Sequence, residues 1–286
     1  MSKVLHLLTI DPQDSFCKVV DPKQQQLLHS GELCVTGAWD DMNRLTALVK
    51  RLGDKLDDIH VTLDSHHPLH IAHPNYFRNL KTGAMPNPFT LMEEKGGTIV
   101  GSDGCEYTTF NVNLLPRTIN YLKALVTSNR YKHCIWPMHC LIGSDGYRVV
   151  PQLFGALVDW EVKNNAAVDY VSKGSNYFAE HFGAVMAEVP DPEDPSTQLN
   201  NGFIETLMEA DIILLAGEAR SHCLANTVRD IANPAIFAQG DDFIKKCVLL
   251  EDCTSDVPGF DALGVAFVND MKARGMQVST SVGFLA

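Results

Sequence analysis

The chain has 286 residues and a formal net charge of −12, which argues against nucleic-acid binding, a role that needs a basic face. Its 45% hydrophobic and 20% charged residues are those of a globular protein able to bury a substantial core, and no apolar run reaches the length of a membrane span. The eight cysteines follow no framework spacing and form no Cys-x-x-Cys pair, so reduced thiols in the cytoplasm are expected.

Val4–Ile10 reads as a first buried strand, not a signal peptide, because His6 breaks the apolar run and Asp11 ends it. It runs into Asp11-Pro12-Gln13-Asp14-Ser15-Phe16. Residues 17–38 carry polar and glycine punctuation and read as a loop. Over Ala38–Leu56, Met42, Leu45, Leu48, Val49 and Leu52 recur at helical spacing, with Asp40 or Asp41 as N-cap. Ile59–Leu63 is a second strand, ended by Asp64-Ser65-His66-His67-Pro68. Residues 74–113 are rich in Gly, Pro, Asn and Thr and show no sustained period. They read as irregular loops and short strands, the kind of segment that forms lids or interfaces.

Leu114–Thr127 is helical, and His133–Trp136 is a short strand leading into Pro137-Met138-His139-Cys140. Val149–Val162 is apolar and helical in part. Ala167–Val171 is a strand running into Ser172-Lys173-Gly174, and 189–201 is a loop rich in Pro and Asp. Gly202–Glu209 is a short helix. Ile212–Ala216 is a buried strand, followed by the turn Gly217-Glu218-Ala219, by Cys223, and by helical spacing at Leu224, Val228 and Ile231. Lys246–Leu250, Phe260–Arg274 and Gln277–Val282 read as strand, helix and strand. This alternation predicts a mainly parallel sheet with helices on both faces. It fits one domain over 1–286 with an insertion at about 78–130.

Asp11, Asp64, His139, Lys173 and Cys223 all fall at or just past the C-terminal ends of predicted strands, the edge where open α/β sheets bind ligands. A thiol at a helix start lies near unpaired N–H groups and the positive end of the dipole, and both favour thiolate. Position alone leaves Cys223 equally readable as a small buried hydrophobe. At the same edge an aspartate can take the thiol proton and a lysine can hold the charges, which gives Asp11 and Lys173 a joint role with Cys223. Asp64-x-His66 can present a carboxylate and an imidazole to one side of an extended segment. With His139 they would form a site with open positions for zinc, iron or manganese. His67, His70 and His73 crowd the same turn, and one of them is a candidate further ligand. A His-rich loop with no metal is the other reading. Phe16 and Trp136 are either core aromatics or the walls of a slot for a flat ring.

Taken in order, Asp11-Pro-Gln-x-x-Phe16, Asp64-x-His66, Trp136-Pro-x-His139-Cys140, Lys173-Gly174 and Gly217-x-Ala219-x-x-x-Cys223 resemble the isochorismatase-like cysteine hydrolases, and within them the nicotinamidases. The resemblance implies a Rossmann-like three-layer α/β sandwich with a six-stranded, mostly parallel sheet. It implies Asp11, Lys173 and Cys223 as catalytic triad and Asp64, His66 and His139 as ligands of a divalent metal, zinc ahead of iron or manganese. It further implies Phe16 and Trp136 as the ring-binding pair, backbone N–H groups of Ala219 and Cys223 as oxyanion hole, and a cis Glu218–Ala219 bond.

The implied activity is hydrolysis of nicotinamide or a similar small amide through a thioester. The implied partners are a small-molecule amide and, with no nucleic acid or membrane, further copies of the chain in a homo-oligomer. The chain is longer than a typical nicotinamidase, mostly between His73 and Trp136. It reads Arg220-Ser221-His222 where nicotinamidases usually carry Thr-Asp and then an aromatic or His. An amidase for another carbamoyl, ureido or amide substrate is the alternative, and a non-catalytic ligand-binding module is a second.

Overall fold

The computed structural model describes residues 3–20, 27–128 and 131–285. β1 (Leu5–Ile10) is buried at every residue, as a strand covered on both faces must be. β2 (Lys18–Val20) and β3 (Leu27–Ser30) pair antiparallel where the sequence reads as loop. Neither is long enough to show a period, and residues 21–26 lie outside the described residues. α1 (Ala38–Leu52) buries the predicted stripe Met42, Leu45, Leu48, Val49 and Leu52. It stops short of the predicted Leu56, where the Gly53 N–H caps the Val49 carbonyl. β4 (Asp58–Asp64) follows.

The expected insertion of loops and short strands is more regular than its composition suggests. β5 (Phe77–Asn79), β6 (Leu91–Lys95), β7 (Thr98–Gly101), β8 (Glu106–Thr109), α2 (Leu115–Thr127) and β9 (His133–Cys134) lie here. The strands form a second, antiparallel sheet in the order β5-β8-β7-β6-β9. It has its own apolar core of Tyr76, Phe77, Met92, Ile99, Tyr121 and Leu125. The strand predicted at 133–136 thus belongs to this sheet, not to the parallel one. Two paired residues carry no periodicity that could have assigned it.

α3 (Pro151–Asn164), β10 (Asp169–Lys173), α4 (Asn201–Met208), β11 (Ile212–Gly217), α5 (Ala225–Ala232), α6 (Gly240–Lys246), β12 (Cys247–Leu250), α7 (Asp261–Ala273) and β13 (Gln277–Ser279) complete the described strands and α-helices. The main sheet runs β10-β4-β1-β11-β12-β13 and is parallel at each described pairing. From β1 through α1 the chain crosses to β4, and from β11 through α5 and α6 it crosses the opposite way to β12. Right-handed crossovers therefore place α1 and α5 on opposite faces. α3 packs on α1, and the Trp160 indole N–H donates to the Gly53 carbonyl at 3.1 Å. No described helix is long and apolar enough to cross a membrane.

The crossover direction reverses between β1 and β11, so their C-terminal ends open a crevice, the topological switch point of the sheet. The two strands stay close there: Ile10 pairs with Gly217. Gly217 has φ 105°, and a Cβ on it would lie 2.0 Å from the Ile10 carbonyl oxygen. Gly217→Ala should therefore cost roughly 3 kcal/mol, combining overpacking with an unfavourable φ. A denaturant melt within 0.5 kcal/mol of wild type would contradict this.

Candidate active site and metal centre

Four adjacent strands deliver four side chains to one edge. Lys173 ends β10, in register with Asp64 at the end of β4. Asp11 follows β1, and Cys223 lies in the turn after β11, within a π-helical segment, Arg220–Leu224, that leads into α5. Asp11 takes a left-handed φ of 43°. Its N–H donates to Thr62 Oγ1 at 2.9 Å, and the Thr62 hydroxyl donates back to Asp11 Oδ1 at 2.5 Å. One neighbouring-strand side chain thus holds the strained turn.

The Lys173 ammonium is 2.9 Å from Asp11 Oδ2, 2.9 Å from Asp64 Oδ1, 3.1 Å from the His181 carbonyl and 3.8 Å from Cys223 Sγ. All four side chains are buried. Burial opposes the Lys173 charge, but Asp11, Asp64 and Cys223 outweigh it and hold the ammonium protonated far above the usual range. Burial raises the Asp11 carboxyl against the pull of Lys173. Burial also pushes the Cys223 thiol well up; Lys173 opposes this, while Asp11 and Asp64 add to it. Burial, with the two carboxylates, thus opposes the thiolate that the helix start favours.

Asp64 faces two ways. Oδ1 takes Lys173, while Oδ2 lies 2.9 Å from His66 Nε2 and 3.3 Å from His139 Nε2. Burial raises this carboxyl, but His66 and Lys173 with hydrogen bonds from His139 and His66 hold it well below the usual range. Ring nitrogens of His66, His73 and His139 converge within 4.8 Å of one another. Each turns Nδ1 to a backbone carbonyl: Gly174 at 3.1 Å, Pro68 at 3.2 Å and Pro137 at 2.8 Å. With Nδ1–H so bonded, each ring can present an Nε2 lone pair inward once that nitrogen is deprotonated, the arrangement metal-binding histidines use. His73 Nε2 is buried with no hydrogen-bond partner, and burial lowers that ring to about 3. This donor set fits a divalent transition metal.

His70 does not join it. Its Nε2 meets the Ala179 carbonyl at 3.2 Å and its Nδ1 accepts from the Ala72 N–H at 3.1 Å, so both nitrogens are occupied. His67 is exposed. A Cβ on Gly174, at φ 83°, would lie 2.9 Å from Asp64 Oδ1 and 3.0 Å from His66 Cε1, which explains a glycine directly after Lys173.

Phe16, Trp136 and Ala219 line a narrow slot of about 20 Å³ together with Cys223, Asp64 and His139. Phe16 sits edge-on to His139 with centroids 5.6 Å apart. The Glu218–Ala219 peptide bond is cis, and the Ala219 carbonyl accepts from the N–H groups of His222 and Leu224. Phe182, Glu180, His222, Leu33 and Val257 complete the walls, and sequence reasoning gave none of them a role. Phe182 and Glu180 lie in the motif-free loop after β10. His222 was visible only as the nucleophile's neighbour.

Trp136, Phe182 and His222 also border an outer hollow of about 620 Å³ whose lining includes none of Asp11, Lys173 and Cys223. His222 stacks on Tyr131 at 5.2 Å and meets Trp136 and Phe182 edge-on, and burial lowers its ring to about 4.

No family model matches the chain, and no curated protein matches it. Solved structures do. The yeast nicotinamidase bound to the inhibitor nicotinaldehyde is 18% identical, with TM-score 0.61 over 97% of this chain and 100% of that one. The nicotinamidase/pyrazinamidase of Acinetobacter baumanii is 16% identical, with TM-score 0.58 over 98% and 97%. The chain has the nicotinamidase fold. The Pyrococcus horikoshii pyrazinamidase in complex with zinc shares it at 16% identity and TM-score 0.53, over 96% of this chain and 98% of that one. Identities this low speak for the fold alone.

Glu218, just before Ala219, is fully buried. Burial and Asp41 push its carboxyl well above the usual range. The folded chain thus binds this proton more tightly than the unfolded chain, whose carboxyl titrates at about 4.3. Stability should fall as pH rises from there toward the folded value. Glu218→Gln should flatten this slope, read by denaturant melts at pH 5 and pH 8. Equal slopes for variant and wild type would refute the linkage.

Proposed function

We propose that the chain is a cysteine amidohydrolase that converts nicotinamide, or a similar small aromatic amide, to the acid and ammonia through a thioester. The observation that carries the reading is the single Lys173 ammonium in contact with Asp11, Asp64 and Cys223. It joins a nucleophile and its base to the histidine cluster in one crevice. A solitary structural ion pair would need neither the thiol nor the convergent imidazoles.

With an amide carbon above Cys223, the Asp11 carboxylate takes the thiol proton and the sulfur attacks the carbonyl carbon. Lys173 keeps Asp11 in place and offsets the charge of the forming thiolate. The carbonyl oxygen becomes an oxyanion, held by the backbone N–H groups of Ala219 and Cys223. Asp11 returns its proton to the nitrogen, the C–N bond breaks, and ammonia leaves with the acyl group on Cys223. Asp11 then removes a proton from water, whose oxygen attacks the thioester carbon and restores the thiol. Phe16 and Trp136 sandwich the ring and fix its plane during both attacks. Asp64, His66, His139 and His73 would hold a divalent ion, zinc ahead of iron or manganese, whose chemistry when bound is Lewis-acid anchoring of the ring nitrogen.

Cys223→Ala should lower ammonia release from nicotinamide by about 10⁴-fold or more while leaving metal content unchanged. An amidase rate within tenfold of wild type would overturn the assignment. Chelation should abolish turnover, and zinc should restore it. His73→Ala should weaken zinc retention by about 10–100-fold, as losses around metal sites do, whereas His70→Gln should leave the zinc count intact. Metal analysis after dialysis separates the two histidines.

A further inference from the structure

The main sheet carries a second histidine–carboxylate cluster at its other end, about 13 Å of strand from the catalytic edge at the rise expected over four residues. His6 is the second residue of β1, in register with Asp58 of β4, and His60 of β4 is in register with Asp169 of β10. His60 Nε2 lies 3.2 Å from His6 Nδ1 and 3.7 Å from Asp58 Oδ2. Three ligand atoms from His6, Asp58 and His60 fall within 4.8 Å of one another.

We propose that His6, Asp58 and His60 form a second site for a divalent transition metal, zinc by its donor set, independent of the proposed amidase centre. The spacing supports this. A tetrahedral ion with bonds of about 2.0–2.2 Å holds its ligand atoms roughly 3.3–3.6 Å apart, and the 3.2 and 3.7 Å separations from His60 Nε2 lie within a few tenths of an ångström of that. The tautomer supports it as well. The His60 ring turns Nδ1 to Asp169 Oδ2 at 2.9 Å, and a carboxylate can only accept. The proton therefore sits on Nδ1, and Nε2 offers its lone pair to the cluster, the carboxylate–histidine–metal relation. The catalytic edge uses the same device with backbone carbonyls.

The site is also framed and accessible. His60 is fully buried, with Phe203 of α4 edge-on at 5.7 Å. The side chains of Asp58 and Asp169 are 32% and 44% exposed, so an ion can enter from that side and keep a water in its fourth position. Asp58 Oδ1 accepts the Ile59 N–H at 2.8 Å, which fixes the carboxylate and leaves Oδ2 toward His60. Two neutral imidazoles and a carboxylate suit zinc better than magnesium or calcium, which prefer all-oxygen shells.

Without an ion, His6 Nδ1–H donates to His60 Nε2; on binding, that proton moves to His6 Nε2, so Nδ1 is free to ligate and both imidazoles stay neutral. The ion would bridge β1 and β4, and through Asp169 it would tie in the edge strand β10. Its expected role is to hold the sheet together.

The test uses the full chain, stripped with chelator and reloaded with excess zinc. About two zinc ions per chain are expected, falling to about one in the His6→Gln/Asp58→Asn double variant with ammonia release unchanged. In a His139→Ala background the remaining ion should raise the melting temperature, and the double substitution should erase that rise. A zinc-edge anomalous map should place density between His6 Nδ1, His60 Nε2 and Asp58 Oδ2, which protects the test against a variant that folds poorly. No anomalous peak there at saturating zinc, or an unchanged zinc count in the double variant, overturns the proposal. A chain that lacks amidase activity but keeps the peak leaves this site standing and removes only the catalytic reading.

Discussion

The buried Lys173 ammonium is the constraint on which the site depends. An ammonium taken out of water is costly unless its charge and hydrogen bonds are met. Here all three N–H groups are met, by Asp11, Asp64 and the His181 carbonyl. Those partners come from β1, from β4 and from the loop after β10, so satisfying one cation locks the ends of three adjacent strands. The fit is asymmetric in charge: two carboxylates flank one ammonium. Burial pushes the Cys223 thiol up, and the two carboxylates add to that push. The surplus negative charge also gives weight to the second oxygen of Asp64, which is turned away from Lys173 toward the imidazoles.

Much of this was legible in the sequence wherever a side chain sits at the end of a strongly apolar run. Asp11, Asp64, Lys173 and Cys223 could be placed because LHLLTI, DIHVTLD, DYVSK and IILLAG are strands of a kind composition reveals, and parallel topology puts their ends together. Phe16, Trp136 and Ala219 reach the same slot. The unreadable parts share a cause. β2, β3 and β5 are too short for a period of two to emerge, so a hairpin read as loop and a whole second sheet as irregular loops with short strands. The allegiance of His133 and Cys134 is decided by their pairing with Leu91 and Met92, a contact no local pattern encodes.

Chemical states were less legible than positions. The helix start beside Cys223 is a local feature that argues for thiolate. The burial and carboxylates that oppose it are tertiary. Likewise, nothing in His66-His67-Pro68-Leu69-His70-Ile71-Ala72-His73 separates His73 from His70. The distinction comes from where each Nδ1 points: at Pro68 for His73, and at the Ala72 N–H for His70. Phe182 and Glu180 reach the pocket on a loop whose course only the folded chain determines.

The pocket is assembled from two layers with separate cores. Cys223, Asp11 and Lys173 hang from the large parallel sheet and Trp136 packs in its core, whereas His139 follows the strand that edges the smaller antiparallel one. Layers with separate cores can open as separate cooperative units. Fraying of the smaller one would displace a histidine from a crevice whose sulfur stayed in place. Loss of ligand recognition and loss of thiol reactivity would then follow different temperature courses in the same molecule.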